Sequence, residues 1–309
     1  MIKDFQDRER FSDIFLVKDV TKGTKVDGQS YLSVTLQDNS GTIDAKKWIV
    51  TSNDIKLLVP GTAVRVDGEV RIYKEKLQAS IDAVYEVDLN TIDLTDLLIQ
   101  SPIPVETLIS KFKYFLSSIK NDDCKNILNY IFKKYYQDFI NYPAAVRNHH
   151  EFYHGLLYHT VSMCEVAEGI SKHYFDVDYD ILISGCLLHD VGKVIEFSGV
   201  IGTKYTNEGN LLGHLTIGMS LIDEAKKALD IKSEVPLLLE HMVLSHHGKV
   251  EYGAAVVPIT REALLLSMID DMDAKMMILD KAYDNVEEDG YTERIFPLEN
   301  RSFYKPKKY

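Results

Sequence analysis

The spacing of apolar residues changes once along this chain, and the change divides it in two. Between Phe15 and Tyr85 apolar and polar residues alternate: Leu32, Val34 and Leu36 interleave with Tyr31, Ser33 and Thr35. That period of two belongs to strands with one buried face. From Val105 the apolar residues Val105, Leu108, Ile109, Phe112, Phe115, Leu116 and Ile119 recur three and four apart, as on one side of a helix. One element cannot serve both periods, so a β part is expected first and an α part after it. At 309 residues, 45% of them hydrophobic, the chain can fill more than one core.

The β part spans 1–90. Strands are expected from Phe15, over Tyr31–Leu36, Thr42–Trp48, Ala63–Tyr73 and Leu77–Tyr85, with turns at Asp38-Asn39-Ser40-Gly41 and Pro60-Gly61. Five short strands joined by glycine-bearing turns predict a small all-β barrel. The stretches LQDNSGTIDAKKW and PGTAVRVDGEVRIYKEKLQASI resemble the OB-fold of nucleic-acid-binding proteins. That resemblance implies a groove where bases stack on aromatic rings beside basic groups. The candidates are Tyr31, Trp48 and Tyr73 with Lys46, Arg65 and Arg71, joined by Lys47, Lys74 and Lys76. The plainer reading of any one of them is barrel core or solvated surface. Residues 1–90 hold 13 Lys and Arg against 15 Asp and Glu, a net −2 beside −10 for the remainder. This is the less acidic part of an acidic chain, which speaks against extensive phosphate contacts.

Residues 91–145 read as a helical connector packed on the next domain. Pro102 and Pro104 bracket a turn, and Ile127, Leu128, Ile131, Phe132, Tyr135 and Tyr136 mark a second amphipathic helix. Lys111, Lys113, Lys120, Lys125, Lys133 and Lys134 decorate these helices, as a solvated face or a basic rail. Their apolar stripes suit packing within the chain or between copies, so a homo-oligomer is an option.

Residues 146–290 carry the chemistry. His159, His189-Asp190, His214, His246-His247 and Asp270 fall at wide intervals on consecutive expected helices, each among apolar neighbours. Adjacent side chains leave a helix in different directions, so His189 and Asp190 can share a ligand only near a helix end or distortion. One buried histidine is usually a hydrogen-bonded core residue; five places with nitrogen and oxygen donors suit a divalent ion. The order H…HD…H…HH…D, with LLHDVGK and LSHHG, resembles the HD superfamily of metal-dependent phosphohydrolases, an all-α helical bundle. An OB-fold barrel, a connector and an HD bundle in one multidomain chain resemble the YhaM-type 3′-to-5′ exoribonucleases.

That resemblance implies two divalent ions per chain, manganese foremost, with iron, cobalt, nickel or zinc as alternatives. One would lie on His159, His189, Asp190 and Asp270, the other on Asp190, His214 and His246, with Asp190 bridging. Asp271 and Asp273 are near alternatives to Asp270, which is preferred because it completes Ile-Asp-x-Met-Asp-Ala-Lys. His247 is open, as a ligand or as proton donor to the leaving oxygen. Two metals about 3.5–4 Å apart clamp the attacking and leaving oxygens of a phosphodiester. Lys193 would meet the scissile phosphate, or else simply end a helix. The chain offers no GxSxG and no cysteine beside a histidine, so no protein nucleophile is expected.

The implied activity is metal-dependent 3′-to-5′ hydrolysis of single-stranded RNA, with DNA as an option, to nucleoside 5′-monophosphates. Rivals are a nucleotide or cyclic-dinucleotide phosphohydrolase, and a non-enzymatic single-strand-binding protein on an HD scaffold. His149, His150 and His154 before His159 read as loop or helix-start residues rather than cleft lining, and His173 and His241 as structural or surface groups. The tail, 291–309, with Arg301, Lys305, Lys307 and Lys308, reads as a solvated end or a phosphate-contacting arm. Cys124, Cys164 and Cys186 form no CxxC pair, which suits a reducing compartment. The first ten residues lack the apolar core of a signal peptide, and no apolar run approaches the ~18 residues of a membrane span. A cytoplasmic protein is expected.

Overall fold

The structure, a computed structural model, describes residues 1–24, 28–88, 91–145 and 152–307. Two compact units emerge: Met1–Gln100 with Gly199–Thr203, and Ser101–Ser198 with Lys204–Tyr309.

The first unit is a closed five-stranded barrel of β1 (Arg10–Thr24), β2 (Ser30–Asp38), β3 (Gly41–Lys47), β4 (Ala63–Tyr73) and β5 (Lys76–Glu86), ordered β1-β2-β3-β5-β4. Strand β1 closes it by pairing with β4 through Arg10–Leu16 and with β2 through Leu16–Thr24, with a register shift between Val17 and Asp19. A closed barrel leaves no long edge open to another chain. Its interior holds Phe11, Phe15, Val17, Val34, Leu36, Val66, Val70 and Ile81, all buried. These are the inward positions of the alternation read from the sequence. The alternation does not show α1 (Ser52–Leu57), which fills the connection between β3 and β4. Six residues are too few for a period to register. The local mark of α1 is its capping box, in which Thr51 and Asp54 each accept the other's backbone N–H.

The second unit holds α2 (Val105–Ser118), α3 (Asp122–Asn141), α4 (Gly155–His173), α5 (Tyr179–Leu188), α6 (Lys193–Glu196), α7 (Asn207–Ala228), α8 (Val235–Ser245) and α9 (Arg261–Tyr283). Asn121, Asp178, Thr206 and Thr260 cap α3, α5, α7 and α9, each accepting backbone N–H groups of the first turn. Phe112, Phe132 and Phe139 of α2 and α3 share one buried core with Leu156, Leu182, Leu187, Met242 and Leu266 of the later helices. The two helices read as a connector are thus built into the bundle core.

Beyond α9, β6 (Gly290–Tyr291) pairs with β7 (Tyr304–Lys305). The Lys305 ammonium donates to the Tyr283 carbonyl at 2.7 Å and the Val286 carbonyl at 2.6 Å, where a cation offsets the partial negative charge of a helix end. Lys307 pairs with Asp289 at 3.1 Å. The tail is folded back on α9 as far as it is described; Lys308 lies outside the described residues. Among the described residues no helix is long and apolar enough to cross a membrane. All three cysteines are free and buried.

Candidate metal centre and nucleic-acid face

Helix α5 is buried from Ile181 to Leu188, as its uninterrupted apolar run requires. It stops at Leu188, and the chain turns through Asp190 to Gly192 before α6. That turn lets the adjacent His189 and Asp190 face one place. Gly192 sits so close to α7 that a Cβ there would collide with the His214 carbonyl and the Gly218 amide. Helix α7 breaks at Gly213 (φ 70°, ψ 155°) and restarts with His214. The left-handed φ is one that glycine adopts without strain. His246 and His247 follow the last residue of α8, and Gly248, at φ 75°, turns the chain away. From α9, Asp270 and, one turn on, Asp273 reach His159 on α4.

Four histidines are held in the same manner. His159 Nδ1 lies 2.7 Å from Asp273 Oδ2, and His189 Nδ1 2.8 Å from the Cys186 carbonyl. His214 Nδ1 lies 3.1 Å from Glu196 Oε1, and His246 Nδ1 2.8 Å from the Val243 carbonyl. An acceptor on Nδ1 keeps a proton there and, on a neutral ring, leaves the Nε2 lone pair on the other side. On His159 the acids on both sides favour a second proton, on Nε2 towards Asp270, which a bound cation would have to displace. All four Nε2 atoms surround Asp190. His189 and His159 stand 3.2 and 3.9 Å from Oδ2, and His214 and His246 stand 3.5 and 3.7 Å from Oδ1. The Nε2 atoms of His159 and His189 are 3.2 Å apart, and His159 Nε2 is 3.1 Å from Asp270 Oδ1.

His189, Asp190 and His246 are at most 2% exposed. Asp190 Oδ1, His214 Nε2 and His247 Nδ1 are buried with no hydrogen-bond partner among the described residues. Each such orphan costs about 1–3 kcal/mol unless something satisfies it. Nitrogen lone pairs and carboxylate oxygens facing one another fit a divalent cation. Among the described residues two groups could hold one, His159–His189–Asp190 and His214–His246–His247, each with its donor atoms within 4.8 Å of one another.

The charges are strongly coupled. Burial disfavours a charged Asp190, but Lys193 and His189 outweigh it and hold the carboxyl well below its usual range. Burial opposes charge on Asp270 too, and the hydrogen bond from His159 prevails. Burial likewise opposes a proton on His159, yet Asp270 and Asp273 outweigh it and push its pKa up to about 10. Burial first, then neighbouring histidines, lower His246 and His247. The Lys193 ammonium donates to Asp190 Oδ2 at 2.6 Å, so it faces the cluster rather than simply ending a helix.

Glu196 was not singled out in the sequence. One of its oxygens accepts the His214 backbone N–H at 3.0 Å and lies beside the ring at 3.1 Å. Asp273, an alternative to Asp270, lies behind His159 and also accepts the Ser162 hydroxyl at 2.5 Å. Only its spacing of three from Asp270, one helical turn, could have signalled it. His154 is a buried N-terminal residue of α4, its Nδ1 2.6 Å from the Ile140 carbonyl. His149 and His150 lie outside the described residues. His241 accepts the Ile259 N–H and His173 is exposed.

On the barrel, Tyr31, Lys46 and Trp48 come together at the end of β2 and β3. The rings of Tyr31 and Trp48 are 5.2 Å apart, and the Lys46 ammonium lies 5.3 Å from the Tyr31 ring centre. Tyr31 lies across Gly23, where any side chain would strike its ring. Trp48 is 45% and Tyr73 59% exposed. The reading of these rings as barrel core is therefore corrected: they stand on outward positions, because Tyr31 and Tyr73 alternate with the buried Leu32 and the inward side of β4. Lys47 is the reverse case, buried with its ammonium on the Asp82 carbonyl at 2.5 Å. Arg71 and Tyr73 sit near the β4–β5 turn, with Lys74 5.6 Å from the Tyr73 ring centre. Arg65 stands apart, six residues back along β4, 4.3 Å over Tyr85.

Residues 156–275 match the HD domain family, and residues 16–87 match the OB-fold nucleic acid binding domain family. Similar solved structures include three that bear on the two parts. A replication protein A heterotrimer bound to single-stranded DNA is 16% identical, over 28% of this chain and 59% of that one, with a TM-score of 0.22. The second OB-fold domain of replication protein A from Methanococcus maripaludis is 17% identical, over 30% and 97%, with a TM-score of 0.24. The HD domain of the L. monocytogenes phosphodiesterase PgpH is 16% identical, over 52% and 75%, with a TM-score of 0.29. This chain thus spans less than two thirds of the replication protein A chain in that heterotrimer. An OB-fold barrel followed by a helical HD domain describes its architecture.

Proposed function

We propose that this chain is a metal-dependent phosphodiesterase of the YhaM type, which shortens single-stranded RNA from its 3′ end to nucleoside 5′-monophosphates, with single-stranded DNA as a second substrate. The observation that carries this is the convergence of four imidazole Nε2 atoms on the buried Asp190. A barrel bearing the Tyr31–Trp48 pair stands in the same chain. His159, His189, Asp190 and Asp270 would hold one divalent ion, and Asp190, His214 and His246 another, with manganese foremost. When bound, such ions lower the pKa of an attacking water and offset charge on a phosphodiester.

The chain's own groups do the rest. Asp190 presents one oxygen to each half of the cluster. Lys193, now on Asp190 Oδ2, carries a positive charge within a side-chain rotation of an incoming phosphoryl oxygen and stabilises charge gathering there. His247 is neutral while buried; an anionic phosphate beside it raises its proton affinity and lets its ring donate to the leaving oxygen. Tyr31 and Trp48 stack bases, Lys46 meets a phosphate, and Arg71 and Tyr73 extend that face.

The test uses 5′-end-labelled single-stranded RNA and its DNA equivalent, chelator-stripped protein and added manganese. Wild type is expected to yield a ladder shortening from the 3′ end, and Asp190→Ala none. A strand that is bound but left intact sinks the reading and turns attention to mononucleotides and cyclic dinucleotides.

A further inference from the structure

The four histidines differ in what stands behind them. His189 and His246 lean on backbone carbonyls of their own helices, those of Cys186 and Val243. His159 and His214 lean on carboxylates, those of Asp273 and Glu196. Each half of the proposed centre therefore pairs one carbonyl-backed imidazole with one carboxylate-backed imidazole. Building on the two-ion reading, we infer that Asp273 and Glu196 are positioning residues, each serving a different ion: Asp273 the one on His159, and Glu196 the one on His214.

The geometry supports separate service. Asp273 accepts from two groups of α4, His159 Nδ1 at 2.7 Å and the Ser162 hydroxyl at 2.5 Å. Glu196 is fixed on the other side of Asp190. One oxygen holds both the N–H and the ring of His214 where α7 restarts after Gly213. The backbone of Glu196 is itself packed on Gly209, where a Cβ would collide with it. A carboxylate behind an imidazole fixes its tautomer, aims its lone pair and makes it a stronger donor than a carbonyl does. Among the four histidines of the two halves, Asp273 meets His159 and Glu196 meets His214, so each acid can be altered alone.

The test titrates chelator-stripped, full-length protein with manganese chloride alone, followed by calorimetry and by metal analysis after gel filtration. Wild type is expected to show two tight binding events. Asp273→Asn and Glu196→Gln keep an oxygen acceptor at nearly the same place and remove the charge. Each is expected to weaken one event by about 10–100-fold and leave the other, and the double variant to weaken both. Ser162→Ala, a milder change that loosens the Asp273 carboxylate, is expected to weaken the same event as Asp273→Asn. It carries the test if Asp273→Asn fails to fold, as judged by melting in chelator. Two intact events in every variant overturn the inference and leave the two-ion reading standing, as does a double variant no weaker than either single one. Wild type that binds one ion or none overturns the two-ion reading and the inference with it.

Discussion

Gly192 holds the centre together through what it lacks. A methyl group there would meet the His214 carbonyl and the Gly218 amide, both backbone, so neither can swing aside. Gly192→Ala is expected to cost about 1–3 kcal/mol, the usual range for overpacking, and to weaken manganese binding because Asp190 and His214 are pushed apart. Denaturant melts and manganese titration check both effects, and an unchanged midpoint refutes the close fit. His154 gives a pH dependence away from the centre. Burial lowers its pKa, with the Ile140 carbonyl opposing, so the unfolded chain takes up the proton first, near pH 6.5. The stability His154 contributes is fully present above that value and is lost as pH falls from there through its folded pKa. His154→Asn, which tolerates the left-handed φ of 67°, should flatten the fall in melting temperature between pH 7 and pH 5. At this scale the sequence was legible wherever residue type and spacing were the signal: His159, His189, Asp190, His214, His246 and Asp270 do meet. Glu196 and the carbonyls of Cys186 and Val243 were not legible. A backbone carbonyl has no letter of its own, and Glu196 reaches His214 across 18 residues.

Two elements carry local signals that outweigh their length. The break in α7 at Gly213 aims His214 at Asp190 by starting a new first turn at that residue. An unbroken helix would place the imidazole by the phase of the preceding turns instead. Strands β2 and β3 bring Tyr31 and Lys46 together with Trp48, just past β3, and this is the proposed single-strand face. Trp48→Ala is expected to weaken single-strand binding by about 1–3 kcal/mol, the range for loss of one base stack, with Trp48→Phe close to wild type. Arg65→Ala should leave binding nearly unchanged, since Arg65 stacks on Tyr85, roughly 20 Å from Arg71 at ~3.3 Å per residue. Anisotropy with a labelled strand in chelator tests both, and equal losses in the two variants reject this assignment of the face. The barrel's strands were readable because inward side chains are mostly apolar, Lys47 being an exception, and outward ones mostly polar. Helix α1 was not, because a six-residue helix gives its capping residues and little else.

On the scale of the whole molecule, two cores are distinct, one led by Phe15 and Leu36 and the other by Phe112 and Leu187. Calorimetry is expected to resolve two transitions. Manganese at a hundred times its dissociation constant should raise only the helical one, by about 2.7 kcal/mol for a single ion; a shift of both transitions would show that the units unfold together. The division into a β and an α part was plain from the change of period. The packing of α2 and α3 on the following helices was expected from their apolar stripes; that they share one core with them was not, because a stripe does not say how much of the core it makes. One consequence of the α9 contacts concerns time. His189, Asp190, His214 and His246 are all in hand once residue 246 has been made. His159 acquires Asp270 and Asp273 only when α9 follows. During synthesis the two halves of the His–Asp cluster therefore mature at different moments, and a chain paused before α9 would already carry its later histidines while the earliest, His159, still waits for its acids.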